Sequence, residues 1–315
     1  MISEAVNSTL IAGGIDTSKA LGGALHFFIY DTIKILLLLF VMISLIGILR
    51  SYLPRQRIKK ILSGRRQGMG NLMASLFGTI TPFCSCSSIP IFMGFLEAGV
   101  PIGVTFSFLI TSPLVNEYLV VLMLGFFGLK ITALYVLFGV LVGVLGGIVL
   151  GRLNPEKYIE KDFKATNQRD KVYKNFKERI HFGVNEAAGI IKKLWLWILL
   201  GVGIGAIIHN LVPESFVSNI LNSGGILTIP LAVILGVPFY ANCAAILPVA
   251  NALFQKGLSL GTALAFMMAT SALSLPEAII LRRAMKLKLI AMFFGIVTLG
   301  IIAVGFLFNL AEGMV

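Results

Sequence analysis

The sequence predicts an all-α, polytopic membrane protein built from about eight hydrophobic segments in two four-segment repeats. Three observations carry this. Of 315 residues, 57% are hydrophobic and only 13% charged, with a mean hydropathy of +0.93, too little polar surface for a soluble domain of this size. The positive charge, +12 net, falls in short blocks between apolar stretches, the pattern of cytoplasmic loops rather than of a nucleic-acid-binding face. The chain also states one motif twice. Pro82-Phe-Cys-Ser-Cys-Ser-Ser-Ile-Pro90 is echoed by Pro238-Phe-Tyr-Ala-Asn-Cys-Ala-Ala-Ile-Leu-Pro248. Each copy leads through a Gly-x-x-x-Gly pair (Gly99 and Gly103; Gly257 and Gly261) to Phe108 or Phe266. Thr111-Ser112 or Thr270-Ser271 follows, and then Glu117 or Glu277. Duplicated apolar segments interrupted at matching places point to a secondary transporter and its binding site.

Stretches long enough to cross a bilayer lie near 25–49, 70–97, 100–127 and 129–151, and again near 189–211, 225–255, 258–281 and 287–310. Residues 1–151 form the first repeat, 152–186 a basic linker and 187–315 the second repeat. The second and third segments of each group contain Pro82, Pro90, Pro113, Pro238, Pro248 and Pro276. Proline removes a backbone donor and clashes with the preceding turn. Such breaks survive in a membrane only where they are buried in protein or face water.

Charge predicts the orientation. The basic stretches 50–69, 152–183 and 282–288 should all be cytoplasmic, the membrane being the inner membrane of the cell. Eight simple crossings would put the first two on opposite sides. A re-entrant segment in each half restores agreement and makes the halves inverted. Segments 70–97 and 225–255, broken near their middles, are the preferred re-entrant pair, although 100–127 and 258–281 satisfy the same parity. In the linker, Val172, Phe176 and Ile180 recur every four residues among charges, which predicts an amphipathic helix on the inner leaflet. No basic region precedes a short apolar core at the N-terminus, so no cleavable signal is expected.

Chemistry concentrates at the breaks. Cys84 and Cys86 can point two thiols at one atom, and aligning the two motifs places Cys243 opposite Cys86. Thiolates favour soft, thiophilic ligands, trivalent arsenic among them. Alternatively Cys84 and Cys86 cycle between dithiol and a strained, reducible disulfide, serviced by a thioredoxin-like partner. The bland reading is that cysteine is a small residue that lets helices pack. Glu117 and Glu277 follow the Thr-Ser breaks, and a carboxylate in the bilayer is costly unless paired, hydrated or protonated, so both are candidate proton carriers. Ser85, Ser87, Asn116 and Asn242 are candidates to line the substrate site; capping the half-helices is their ordinary alternative. No phosphate-binding loop is present, and neither cofactor nor metal is expected. The expected activity is proton-coupled efflux of a thiophilic small molecule across a lipid bilayer, not catalysis.

At these residues the chain resembles the ArsP/YraQ family of predicted permeases. The resemblance rests on Thr81-Pro-Phe-Cys-Ser-Cys-Ser-Ser-Ile-Pro90, on Gly99-Val-Pro-Ile-Gly103 and on Thr111-Ser-Pro-Leu-Val-Asn-Glu117, with their degenerate second copies through Ser274-Leu-Pro-Glu277. It implies an eight-segment permease. Some members export trivalent organoarsenicals through their cysteines, which would make Cys84 and Cys86, with Cys243, the ligands.

Overall fold

The computed structural model describes residues 2–14, 20–52, 68–81, 85–153, 155–160, 175–211, 227–238, 243–255 and 257–312. They are almost entirely helical, as the sequence predicts. A short helix α1 (Ile2–Ala12), which the hydropathy pattern does not announce, packs on α2 (Ala20–Tyr52). Then follow α3 (Met69–Ile80), α4 (Ser85–Glu97), α5 (Ile102–Leu114) and α6 (Glu117–Arg152). The second half holds α7 (Phe176–Leu211), α8 (Thr228–Gly236), α9 (Cys243–Gln255), α10 (Leu260–Ala272), α11 (Leu275–Leu281) and α12 (Leu287–Glu312).

Two of these, α5 and α10, are apolar all round and almost wholly buried, the signature of central helices. Around them α2, α6, α7 and α12 turn Leu37, Leu45, Leu137, Leu145, Leu200, Leu299 and Leu310 outward, an exterior suited to lipid. The amphipathic element predicted around Phe176 and Ile180 is not a separate helix. It is the exposed beginning of α7, which runs unbroken to Leu211; Val172 lies outside the described residues.

At 13 residues each, α4 and α5 are about 20 Å long, short of the ~30 Å hydrocarbon core. A tight turn joins them. The Val100 N–H donates to the Phe95 carbonyl and the Gly99 N–H to that of Leu96, with Gly99 at φ 74°, a Schellman cap. The Ser88–Ser112 bond (2.7 Å) closes the far end of this antiparallel pair. Meanwhile α3 runs parallel to α5, because Asn71 donates to Ser107 at 2.9 Å near one end while Gly78 abuts the Phe108 carbonyl and the Ser112 amide near the other. Thus α3 and α4 point in opposite directions. An antiparallel pair of half-helices is compatible with the re-entrant segment expected at 70–97. The second copy repeats it: α8 runs along α10 from Ile229 beside Ala265 to Gly236 beside Thr270, and Gly257 turns α9 into α10 with the same bonding.

The chain then continues beyond α5 into the first part of α6, turns at Gly128 (φ 75°, ψ 177°) and returns antiparallel to α5. The return needs contact at backbone distance. A Cβ at Gly143 would strike the Thr111 hydroxyl, and one at Gly147 the Ser107 hydroxyl, so the glycine stripe of α6 is the surface that admits α5.

One constant displacement along the chain, from Gly103 to Gly261, carries the bounds of α4 and α5 onto those of α9 and α10. It also maps Gly78 onto Gly236, Gly99 onto Gly257, Phe108 onto Phe266, Pro90 onto Pro248 and Gly147 onto Gly305, with matching contacts at the packed glycines.

Candidate transport site

In the first copy the C-terminus of α3, the N-terminus of α4, the C-terminus of α5 and the N-terminus of α6 meet at one level. The breaks there are well satisfied, as a low-dielectric surrounding requires. Thr81 donates to the Phe77 and Gly78 carbonyls (3.0 and 3.1 Å). Asn116 caps α6 by accepting from the Leu119 amide at 2.8 Å, and the buried Tyr135 hydroxyl donates to the Leu114 carbonyl at 2.8 Å. In the second copy the Leu275 amide donates to the Val237 carbonyl (3.2 Å), tying the C-terminal end of α8 to the break between α10 and α11. Thr270 donates to the Phe266 and Met267 carbonyls.

The two copies meet through these half-helices. The second helix of each broken pair packs on the carboxylate-bearing helix of the other copy: α4 on α11, and α9 on the first part of α6, where Phe127 and Phe254 lie edge to face at 6.1 Å. The helix that begins Ser85-Cys86-Ser87 therefore lies against the helix that carries Glu277.

The structural register corrects two expected pairings. Under the common displacement Cys243, first residue of α9, matches Ser85, first residue of α4; Cys86 matches Ala244, and Cys84 matches Asn242. Likewise Glu117 matches Leu275, while Glu277 matches Leu119. Aligning the motifs by residue type needs a different offset for each pair; the steric contacts of the glycines allow one. Neither the thiols nor the carboxylates are symmetry mates. Glu117 is an exposed first residue of α6, whereas Glu277 is the third residue of α11 and only 1% exposed.

Cys84 and Asn242 lie outside the described residues. Ser85, Cys86, Ser87 and Cys243 have helical backbones in the first turns of α4 and α9. Among the described residues no group of three or more His, Cys, Asp or Glu could hold a metal ion. Sequence reasoning did not single out Ser274, although the Ser274-x-x-Glu277 spacing of a capping box was there to be read.

The described ends of the basic stretches have defined neighbours. Residues 155–160 dock on the turn after α11: the Lys286 amide donates to the Tyr158 carbonyl (2.8 Å), the Glu160 amide to that of Ala284 (3.0 Å), and Arg282 lies 3.5 Å from Glu160. Helices α2 and α7 are antiparallel, with Gly183 against Ser44 and Ile48, and Gly203 against Phe28. The end of α2, the start of α7 and the turn at 282–288 thus belong with the three basic stretches.

An apolar exterior, buried central helices and helix breaks in the interior define a multi-pass α-helical membrane permease. The chain belongs to the ArsP_1 family, described as predicted permeases, whose family model matches residues 20–310. It is 26% identical over 261 residues to a Streptococcus mutans protein provisionally named as a subunit of a two-component membrane permease complex, an alignment covering 81% of each chain. It is also 20% identical over 271 residues to a UPF0718 protein of Methanocaldococcus jannaschii, covering 68% of this chain and 74% of that one. No solved structure matches it.

Proposed function

We propose that this permease is a secondary-active exporter of a thiophilic small molecule such as a trivalent organoarsenical. Cys84 and Cys86 are its principal ligands and Cys243 is a third thiol from the other copy. Ser85, Ser87, Asn116 and Asn242 line the same region. The observation that carries the reading is the packing of α4 on α11, which sets the helix beginning at the Cys-Ser-Cys break against the helix bearing the buried Glu277. A substrate ligand and a charged group on adjoining half-helices of different copies can respond to one another when the copies move, which is what gradient-coupled transport requires. Glu277 is the coupling carboxylate in this reading, and the exposed Glu117 has a lesser part.

The paired α6–α9 and α4–α11 contacts support an inverted relation between the halves. Phe127 and Phe254 each stand near the far end of a helical stretch that starts at a break, as two stretches leaving the breaks in one direction would place them. The contacts of α2 with the start of α7, and of residues 155–160 with the turn at 282–288, support a common cytoplasmic assignment for the basic stretches. The name of the Streptococcus mutans relative supports a second membrane component working with this chain.

The test is uptake of a trivalent methylarsenical into everted membrane vesicles under an imposed ion gradient. Vesicles with the wild-type chain should accumulate it, and vesicles with Cys84→Ser/Cys86→Ser, expressed to the same level, should not. No accumulation by either would remove the substrate assignment.

A further inference from the structure

The two helix breaks are built differently. In the first, every substituent has a simple structural role: Ser112 is bonded to Ser88, Asn116 caps α6, and Pro113 and Leu119 carry no polar side-chain atom. At the matching positions the second break holds Thr270, Ser274, Ser271 and Glu277. Proline has been exchanged for serine and leucine for glutamate, in a place where polar atoms are expensive. Ser271 is 5% exposed, Ser274 1% and Glu277 1%, and neither serine hydroxyl has a hydrogen-bond partner among the described residues.

Capping alone does not account for this. The spacing of Ser274 and Glu277 fits a capping box, yet the Ser274 side chain makes no capping bond to α11. The helix ends add to the contrast. The C-terminal ends of α8 and α10 both reach this break, the first through the Leu275 amide bond to the Val237 carbonyl, the second through Ala272. The last carbonyls of a helix lack partners within it and carry partial negative charge.

We propose that the break between α10 and α11 binds a monovalent alkali cation, with Glu277 supplying the charge and the Ser271 and Ser274 hydroxyls and the adjoining helix-end carbonyls supplying neutral oxygens. The donor set is all oxygen, which selects hard cations over soft ones. One carboxylate balances one positive charge; a divalent ion would leave an uncompensated charge in a buried site. A proton would need the carboxylate alone and gives the two serine hydroxyls nothing to do. Sodium is the ion expected to act, because its inward gradient can drive outward movement of a substrate. The use of the ion in transport rests on the gradient-driven reading above; the binding itself does not.

The experiment is thermal unfolding of the purified full-length protein in detergent, at fixed ionic strength and pH, in choline chloride with increasing NaCl or KCl in its place. A ligand that binds only the folded state raises the melting temperature with its concentration. The wild type should be stabilised in a saturable way by one alkali cation relative to choline. Glu277→Gln should lose that response, and Ser271→Ala should need about tenfold or more cation for the same effect, each judged against its own melting point in choline. Equal melting curves in sodium, potassium and choline would overturn the proposal. So would an undiminished response in both variants. Cation binding without arsenical transport would leave this site standing and remove only the substrate reading.

Discussion

At the residue scale, the sequence displayed unusual chemical groups but not their partners. Cys84, Cys86, Glu117 and Glu277 were legible as unusual residues because thiols at a helix break and carboxylates in apolar stretches stand out by composition alone. Their pairing across the copies was not legible, since matching residues by type hid an ungapped register that backbone contact enforces. Glycines expose that register, and they can be tested singly. A Cβ at Gly261 would run into the Gly305 carbonyl and the Asn309 side chain, whose oxygen accepts from the Gly261 amide at 2.8 Å. Gly261→Ala should therefore destabilise the protein by about 1–3 kcal/mol, the usual cost of overpacking. Gly125, helical with nothing within 4 Å of a Cβ, is the control: Gly125→Ala should be neutral or stabilise by about 0.5 kcal/mol. Thermal or denaturant unfolding in detergent would compare them, and equal effects would contradict the close approach of α10 and α12.

At the element scale, eight apolar segments and the places where they break were readable from prolines and glycines. Gly128 falls where the sequence divides 100–127 from 129–151. The direction of each half-helix was not readable, because a hydropathy pattern is the same whichever way a segment runs. Direction is fixed instead by pairs of specific contacts, such as the Asn71–Ser107 bond together with Gly78 against Phe108 and Ser112, which only a parallel α3 and α5 can make. The break between α5 and α6 likewise depends on a residue 21 positions away: Tyr135 reaches back to the Leu114 carbonyl. Tyr135→Phe keeps the ring and the packing but leaves that carbonyl without its donor, at a cost of about 1–3 kcal/mol. If unfolding shows a loss well under 0.5 kcal/mol, roughly the lower edge of a hydrogen bond's net worth, the tyrosine does not hold the break.

At the scale of the whole molecule, charge predicts an orientation, and the structure supplies contacts that bear on it. Each basic stretch taken alone is a local excess of Lys and Arg, and the parity of crossings was needed to place all three on one side. The structure adds contacts between the described ends of these stretches. Antiparallel α2 and α7 bring the beginning of the first stretch to the start of α7, and residues 155–160 are bonded to the turn containing Arg282 and Lys286. The exposed Arg282–Glu160 pair adds little energy by itself, so the backbone bonds at Lys286 and Glu160 are what hold the linker to that turn. Single cysteines can check the arrangement. With Cys84, Cys86 and Cys243 replaced by serine, Lys59→Cys, Lys171→Cys and Lys286→Cys would be exposed in turn to a membrane-impermeant maleimide. All three should label in everted vesicles and none in intact cells. Labelling of Lys59→Cys from the opposite side to the other two would mean that residues 69–97 cross the membrane, and the two halves would then share one orientation.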